Sequence, residues 1–343
     1  MNNKIKNVAR FMLFLGIGIF FIWLFLHNLT SQQKKEILLS FGDANYWIIG
    51  FAILLGLVSH YTRAIRWKML LKPMGYETGN RNTFFAVMIG YIANLALPRL
   101  GEVSRCTILS RYENVPFNKS FGTVVTERGI DLLVFLILFF VNLALQFDKL
   151  YSYIDQKIYQ PLEAKFHLSF SLAGSFTNIL LLALVVLAIL FFVFRKKLLK
   201  IKLINKLWNI ARGFLEGMKS IIHMEKPWLF VLYSVIIWGL YWLMAYLVYF
   251  SLPETSHLGP DAGLATLVFG TIGIMLVQGG IGIYPAIVAE TLILYGVAST
   301  KGYALGWLIW SSQTLTIIIL GVLSFILLPI YNKKKSYEKA GVN

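Results

Sequence analysis

Acidic residues are scarce in this chain: 16 Asp and Glu stand against 32 Lys and Arg, for a formal net charge of +16. Charge of either sign is scarce too, at 14% of 343 residues, where a soluble domain carries about 25%. A single cysteine, Cys106, excludes an internal disulfide and a cysteine-built metal site. The five histidines (His27, His60, His167, His223 and His257) are scattered without ligand-like spacing. No G-x-x-x-x-G-K-[ST] loop is present; the nearest string, Gly213 to Ser220, lacks the spacing and the Gly-Lys pair, so ATP is not expected to drive the chain directly. G-x-S-x-G, H-E-x-x-H and dinucleotide fingerprints are missing as well. With no soluble stretch long enough for a catalytic domain, neither enzymatic activity nor a cofactor is expected.

Apolar sequence is abundant, at 57% of residues. Runs near or above the roughly 18 residues that mark a membrane span define an all-α integral membrane protein. Six full spans are expected near Ala9–Leu26, Tyr46–Tyr61, Ser120–Phe147, Phe170–Phe194, Trp228–Phe250 and Tyr303–Tyr331. The first resembles a signal peptide, but it is long for one and no clear A-x-A site follows, so it reads as a retained span. The basic residues fall in short loops beside the spans, as the positive-inside rule requires, which removes nucleic acid as the explanation of the charge. Anionic membrane lipid is the expected partner of any excess.

The same rule orients the chain. Lys4, Lys6 and Arg10 put the N-terminus in the cytoplasm. Arg63, Arg66, Lys68, Lys72 and Arg81 lie inside, the first two at the end of the second span, and the run from Arg195 to Lys226 is inner too. Lys333, Lys334, Lys335 and Lys339 keep the C-terminus inside. The segments His27–Asn45 and Asp148–His167 and the loop with Glu254 and Asp261 fall outside. Leucines, isoleucines and aromatics at three- and four-residue spacing within 198–222, with lysines opposite, predict a cytoplasmic interfacial helix between the halves. The domain plan is thus one membrane domain, 1–331, with halves 1–147 and 148–331, and a basic tail, 332–343, in the cell membrane.

Two further apolar stretches break in the middle. Thr83–Tyr112 is interrupted from Asn94 to Glu102, and Ala262–Val297 from Gln278 to Pro285. Non-helical backbone survives at membrane depth only where protein covers it or it lines a wet cavity. Paired breaks at matching places in two halves point to a transport site. The charge accounting closes if each stretch is a re-entrant hairpin, one from each surface, which makes the halves an inverted-topology repeat; the rival count turns one or both into two short spans.

Ionisable residues at depth face the bundle interior and pair with something. Glu127 and Asp131, four apart, share a helix face. They serve either as a proton or cation site or as anchors for Arg99 and Arg105 of the first hairpin, or they form a purely structural ion-pair network. Asn94, Arg99, Glu102, Arg105 and Arg128, with Gln278, Gly280 and Gly282 of the second hairpin, are the candidate substrate-binding residues. Guanidinium groups suit a phosphate head group because they grip it bidentately. Arg63 and Arg66 belong to the same arginine cluster at the cytoplasmic mouth, though positive-inside bias accounts comfortably for them and for Arg111, less well for Arg99 and Arg105, and poorly for Arg128. Glu290 sits in an apolar helix without an adjacent base and joins Glu127 and Asp131 as a coupling candidate.

The strings Arg63-Ala64-Ile65-Arg66-Trp67, Asn94-Leu95-Ala96-Leu97-Pro98-Arg99-Leu100-Gly101-Glu102-Val103-Ser104-Arg105, Glu127-Arg128-Gly129-Ile130-Asp131 and Gly279-Gly280-Ile281-Gly282-Ile283-Tyr284-Pro285 resemble the lysylphosphatidylglycerol synthase transmembrane family, over about residues 10 to 330. The resemblance implies a polytopic, flippase-like lipid translocase or lipid-associated protein. The soluble aminoacyl-transferase domain of the synthases is not in this sequence, so lysylphosphatidylglycerol synthesis is not expected. Translocation of a phosphate-bearing anionic or polyprenyl lipid is the leading expectation. The alternatives are a non-catalytic partner of a lipid-modifying or polysaccharide enzyme and an intramembrane enzyme acting on a lipid phosphate.

Overall fold

A computed structural model of the protein describes residues 3–27, 29–147 and 224–339. The chain divides into two compact units, 1–145 with 224–343, and 146–223. The first unit holds every element described below. The expected span at 170–194, the interfacial helix at 198–222 and the loop 148–167 lie outside the described residues.

The described residues form ten α-helices and no strand. α1 (Asn3–His27) is followed by α2 (Ser31–Asp43), a helix where the sequence predicts only a neutral connecting segment. A capping box starts α2: the Thr30 hydroxyl accepts from Gln33 N–H while the Gln33 side chain accepts from Thr30 N–H. α3 (Tyr46–Leu71) is capped by Asn45. It runs ten residues beyond the expected end of that span, so Arg63 and Arg66 are well inside the helix rather than at its end. α4 (Asn80–Ala96), α5 (Leu100–Tyr112) and α6 (Phe117–Leu145) complete the first half. The second holds α7 (Pro227–Val248), α8 (Pro260–Leu276), α9 (Ile283–Ile293) and α10 (Ser299–Lys339). α7 and α8 each open on a proline, which needs no N–H at that position. α10 continues through the expected basic tail as far as Lys339.

Four helices are long and apolar enough to cross a membrane (α3, α6, α7 and α10), and α1 with α2, bent by 117°, makes a fifth candidate. The protein is a multi-pass membrane protein. Both predicted breaks are present. The first is narrower than expected, three residues from Leu97 to Arg99, so Glu102 and Arg105 are helical. Pro98 drives Leu97 to extended backbone (φ −146°, ψ 135°) and ends α4 there. Arg99 then turns the chain at φ 64°, a left-handed position costing a non-glycine residue about 1–2 kcal/mol. The second break also starts on an extended residue, Val277, and turns through Gly279, Gly280 and Gly282, all at φ near 70°.

Each break folds its helices back on themselves. Gly90 of α4 touches Gly101 of α5, and Gly270 and Gly273 of α8 pack on Tyr284 and Ile287 of α9. α5 and α9, at 13 and 11 residues, reach only about 20 and 17 Å at 1.5 Å per residue, short of the roughly 30 Å hydrocarbon core. Each is a helical hairpin whose second arm is too short to cross the core alone.

α3 and α7, the long helices that precede the two hairpins, run antiparallel, as an inverted repeat requires: Asn45 N–H bonds Ser251 O at 2.9 Å, Gly56 meets Met244, and Arg66 bonds Ser234. The packing is reciprocal. The first hairpin's α4 lies on α10, where Asn82 and Asn332 exchange amide hydrogen bonds at 2.9 Å, and the second hairpin's α8 lies on α6. Cys106 is fully buried within α5. A maleimide is therefore expected to label it only after denaturation; rapid labelling of the folded protein would contradict this packing.

Candidate functional site

Glu127 and Asp131 lie one turn apart on α6, and Asp131 is 14 residues from either end of that helix. Both are buried, so their charges need partners. Three arginines provide them. Arg63 Nη1 donates to Glu127 Oε1 at 2.9 Å and to Asp131 Oδ2 at 2.6 Å. Arg66 Nη2 reaches Asp131 Oδ1 at 2.7 Å and Glu127 Oε1 at 3.3 Å. Arg105 Nη2, from the first hairpin, takes Glu127 Oε2. All four carboxylate oxygens thus receive a guanidinium.

The surroundings hold the guanidiniums in turn. Arg66 Nη1 donates to the Ser234 hydroxyl of α7 at 2.9 Å. Arg105 lies over the Trp67 ring at 3.9 Å, a favourable cation–π placement. Trp67 Nε1 donates to Thr123 at 2.9 Å. The Nε groups of Arg63, Arg66 and Arg105 are buried and have no hydrogen-bond partner among the described residues. Three positive charges against two negative leave the cluster one positive charge in excess.

Arg128 follows Glu127 but points elsewhere. It is 42% exposed and pairs with Glu102 of α5 at 3.1 Å. Glu102 Oε1 also accepts the Asn94 amide at 3.4 Å, and Asn94 Oδ1 accepts Gly101 N–H at 2.7 Å. The two hairpin tips meet here: Gln278 Nε2 donates to the Asn94 main-chain oxygen. Trp310 of α10 donates to Gly279 O at 2.6 Å. The structure therefore joins Asn94, Glu102, Arg128 and Gln278 in one chain of contacts, and Arg105, Glu127 and Asp131 in the buried cluster beside it.

Four sequence-derived candidates do not join. Arg99 is exposed at the first tip and makes no ion pair among the described residues, so the acids anchor Arg105 and not Arg99. Glu290 is exposed and unpaired among the described residues, because its position on α9 turns away from the packed face. Gly282 is covered by Gly18 and Ile22 of α1. It and Gly280 shape the second break rather than open onto a site.

The family model described as the lysylphosphatidylglycerol synthase TM region matches residues 11–327. The chain belongs to that family. It is 33% identical over 136 residues to a UPF0104 membrane protein of Methanocaldococcus jannaschii, 39% of each chain. It is 29% identical over 102 residues to glycosyltransferase AglD of Haloferax volcanii, 29% of this chain and 16% of that one. A UPF0104 membrane protein of Methanothermobacter thermautotrophicus is 27% identical over 90 residues, 24% and 27% of the two chains. The match thus spans less than half the length of these relatives. No solved structure matches.

In this member of the lysylphosphatidylglycerol synthase transmembrane family, the residues that sequence reasoning missed are Arg63, Arg66 and Ser234. Charge topology puts the two arginines at the cytoplasmic end of the second span; the structure continues α3 past them and buries them. Their three-residue spacing, followed by Trp67, was the available signal: it places both on one face if the helix continues. Ser234, a lone hydroxyl in an aromatic-rich span, carried none.

Proposed function

We propose that the protein translocates a phosphate-bearing lipid between leaflets. The observation that carries this reading is the meeting of two re-entrant tips, one from each inverted half, beside a buried cluster with one uncompensated positive charge. An excess charge at membrane depth is costly unless something neutralises it, and an anionic head group does so. Arg128, half exposed and held only by Glu102, is the group placed to meet a phosphate first. Rocking of the halves about the tip contact exposes the site to either surface in turn. No catalytic role is assigned to any residue. The cytoplasm faces the first hairpin's entry in this reading, and both termini lie on that side.

Purified protein in liposomes should move fluorescent anionic phospholipid from the outer leaflet out of reach of a membrane-impermeant quencher. Arg128→Ala should slow that movement about tenfold at unchanged melting temperature, because the side chain adds little to packing. An unchanged rate would remove Arg128 from the mechanism, and no redistribution by the wild type would end the reading. The similarity to a glycosyltransferase favours a second reading, service as the membrane partner of an enzyme acting on lipid-borne sugar or phosphate. That reading expects no lipid movement by the isolated protein and co-purification with such an enzyme.

A further inference from the structure

A second site lies away from the ion cluster, where α1, α2 and α10 enclose a cavity of about 460 Å³. Its size is within the roughly 300–1,000 Å³ of small-molecule sites. Ile22 of α1, Ile37, Leu38 and Phe41 of α2, and Trp307 of α10 line it. Four lining residues carry polar atoms: Trp307 its indole N–H, Tyr303 a buried hydroxyl, and Ser311 and Lys34. Ser311 spends its hydroxyl on the Trp307 main-chain oxygen at 2.5 Å. Lys34 is the one charged lining residue, and it has no acidic partner among the described residues. Glu36, two residues along, bonds Thr300 instead. The neighbouring Lys35 does not line the cavity. An apolar slot with one ammonium at its rim fits an apolar chain that ends in an anion.

We propose that this cavity is a lipid-binding site: it holds one acyl chain of an anionic phospholipid, with the phosphate at Lys34. Three features favour a phospholipid over a soluble ligand. The lining is mostly aliphatic and aromatic, with two small donors, Tyr303 and Trp307, and a single charge at Lys34. α2 turns 117° from α1 and exposes Leu38 and Leu39, as a helix lying against lipid does. The charge at the rim complements a head group that carries net negative charge. Ile22 faces the cavity and also packs under Gly282, so a seated chain lies one side chain from the second hairpin's break. Occupancy is an equilibrium property and stands whether or not the protein moves lipid.

Trp307 reports the site. In nanodiscs, phosphatidylglycerol brominated on its acyl chains should quench the Trp307 component, taken as wild type minus Trp307→Phe. Brominated phosphatidylcholine at equal mole fraction should quench about fivefold less, the scale of one basic residue acting on anionic lipid. Lys34→Gln should erase that preference, and Lys35→Gln should leave it. Equal quenching by the two lipids in the wild type overturns the proposal. So does equal loss with either lysine variant, which would mean surface charge alone. Stronger quenching by a brominated fatty acid than by phosphatidylglycerol would overturn the phospholipid assignment. If Trp307→Phe does not fold, a photo-crosslinker at Leu38 reads the same lipid preference, and its failure to capture phosphatidylglycerol over phosphatidylcholine overturns the proposal equally.

Discussion

Gly101→Ala should collapse the first hairpin. A Cβ at this position would sit 2.0 Å from the Gly90 main-chain oxygen and 2.6 Å from Asn94 Cγ. The obstacle is backbone on the facing helix, which no rotamer change relieves. Forcing an extra carbon into a packed interface costs about 1–3 kcal/mol and occasionally more, and this site belongs at the upper end. The damage spreads beyond sterics. Asn94 accepts Gly101 N–H and carries the oxygen that Gln278 grips, so separating α4 from α5 also breaks the contact between the tips. Thermal unfolding in detergent should show a markedly lower transition for Gly101→Ala, with little lipid movement by the remaining folded protein. Gly122→Ala on α6 is the control. Nothing lies within 4 Å of a Cβ there, and alanine gains up to about 1 kcal/mol over glycine in a helix interior. Equal melting of Gly101→Ala and wild type would show that the two helices are not in contact as described.

The hairpins were legible in sequence because their cause is local. Proline after Leu97 ends a helix whatever surrounds it, and three glycines within five residues permit the left-handed turns of the second break. Charge parity predicts an inverted repeat, and the antiparallel packing of α3 against α7 is the arrangement such a repeat requires. The composition of the ion cluster was half legible. Glu127, Asp131 and Arg105 could be named because each is out of place where it stands. Arg63 and Arg66 could not, because basic residues after an apolar run have an ordinary explanation in topology. Only tertiary structure shows α3 carrying them inward to Ser234 and the two carboxylates. Arg99 and Glu290 lie outside the cluster for the converse reason. An odd residue in sequence is a buried residue only if its helix face is covered, and nothing in a single sequence states which face that is.

Glu127→Gln should be the most disruptive single polar substitution in the described residues. Glu127 accepts from Arg63, Arg66 and Arg105 together, and the amide keeps the shape while removing the charge. Three guanidiniums then face Asp131 alone, and the buried excess rises from one positive charge to two. Removing one partner of a buried pair costs about 3–5 kcal/mol, so folded protein should be recovered poorly and melt early. Adding Arg105→Gln returns the count to two positive charges against one negative, the same excess as in the wild type. The double variant should therefore be more stable than Glu127→Gln alone, with a coupling energy inside the roughly 0.5–3 kcal/mol seen between interacting residues. A merely additive cycle would mean that Arg105 and Glu127 do not share their charge balance. The cycle also separates structure from transport. If the double variant folds yet moves no lipid, the Arg105 guanidinium is needed by the substrate and not only by the carboxylate. If it folds and moves lipid at the wild-type rate, the buried pair is scaffolding, and binding of the phosphate falls to Arg128 and the meeting point of the two tips.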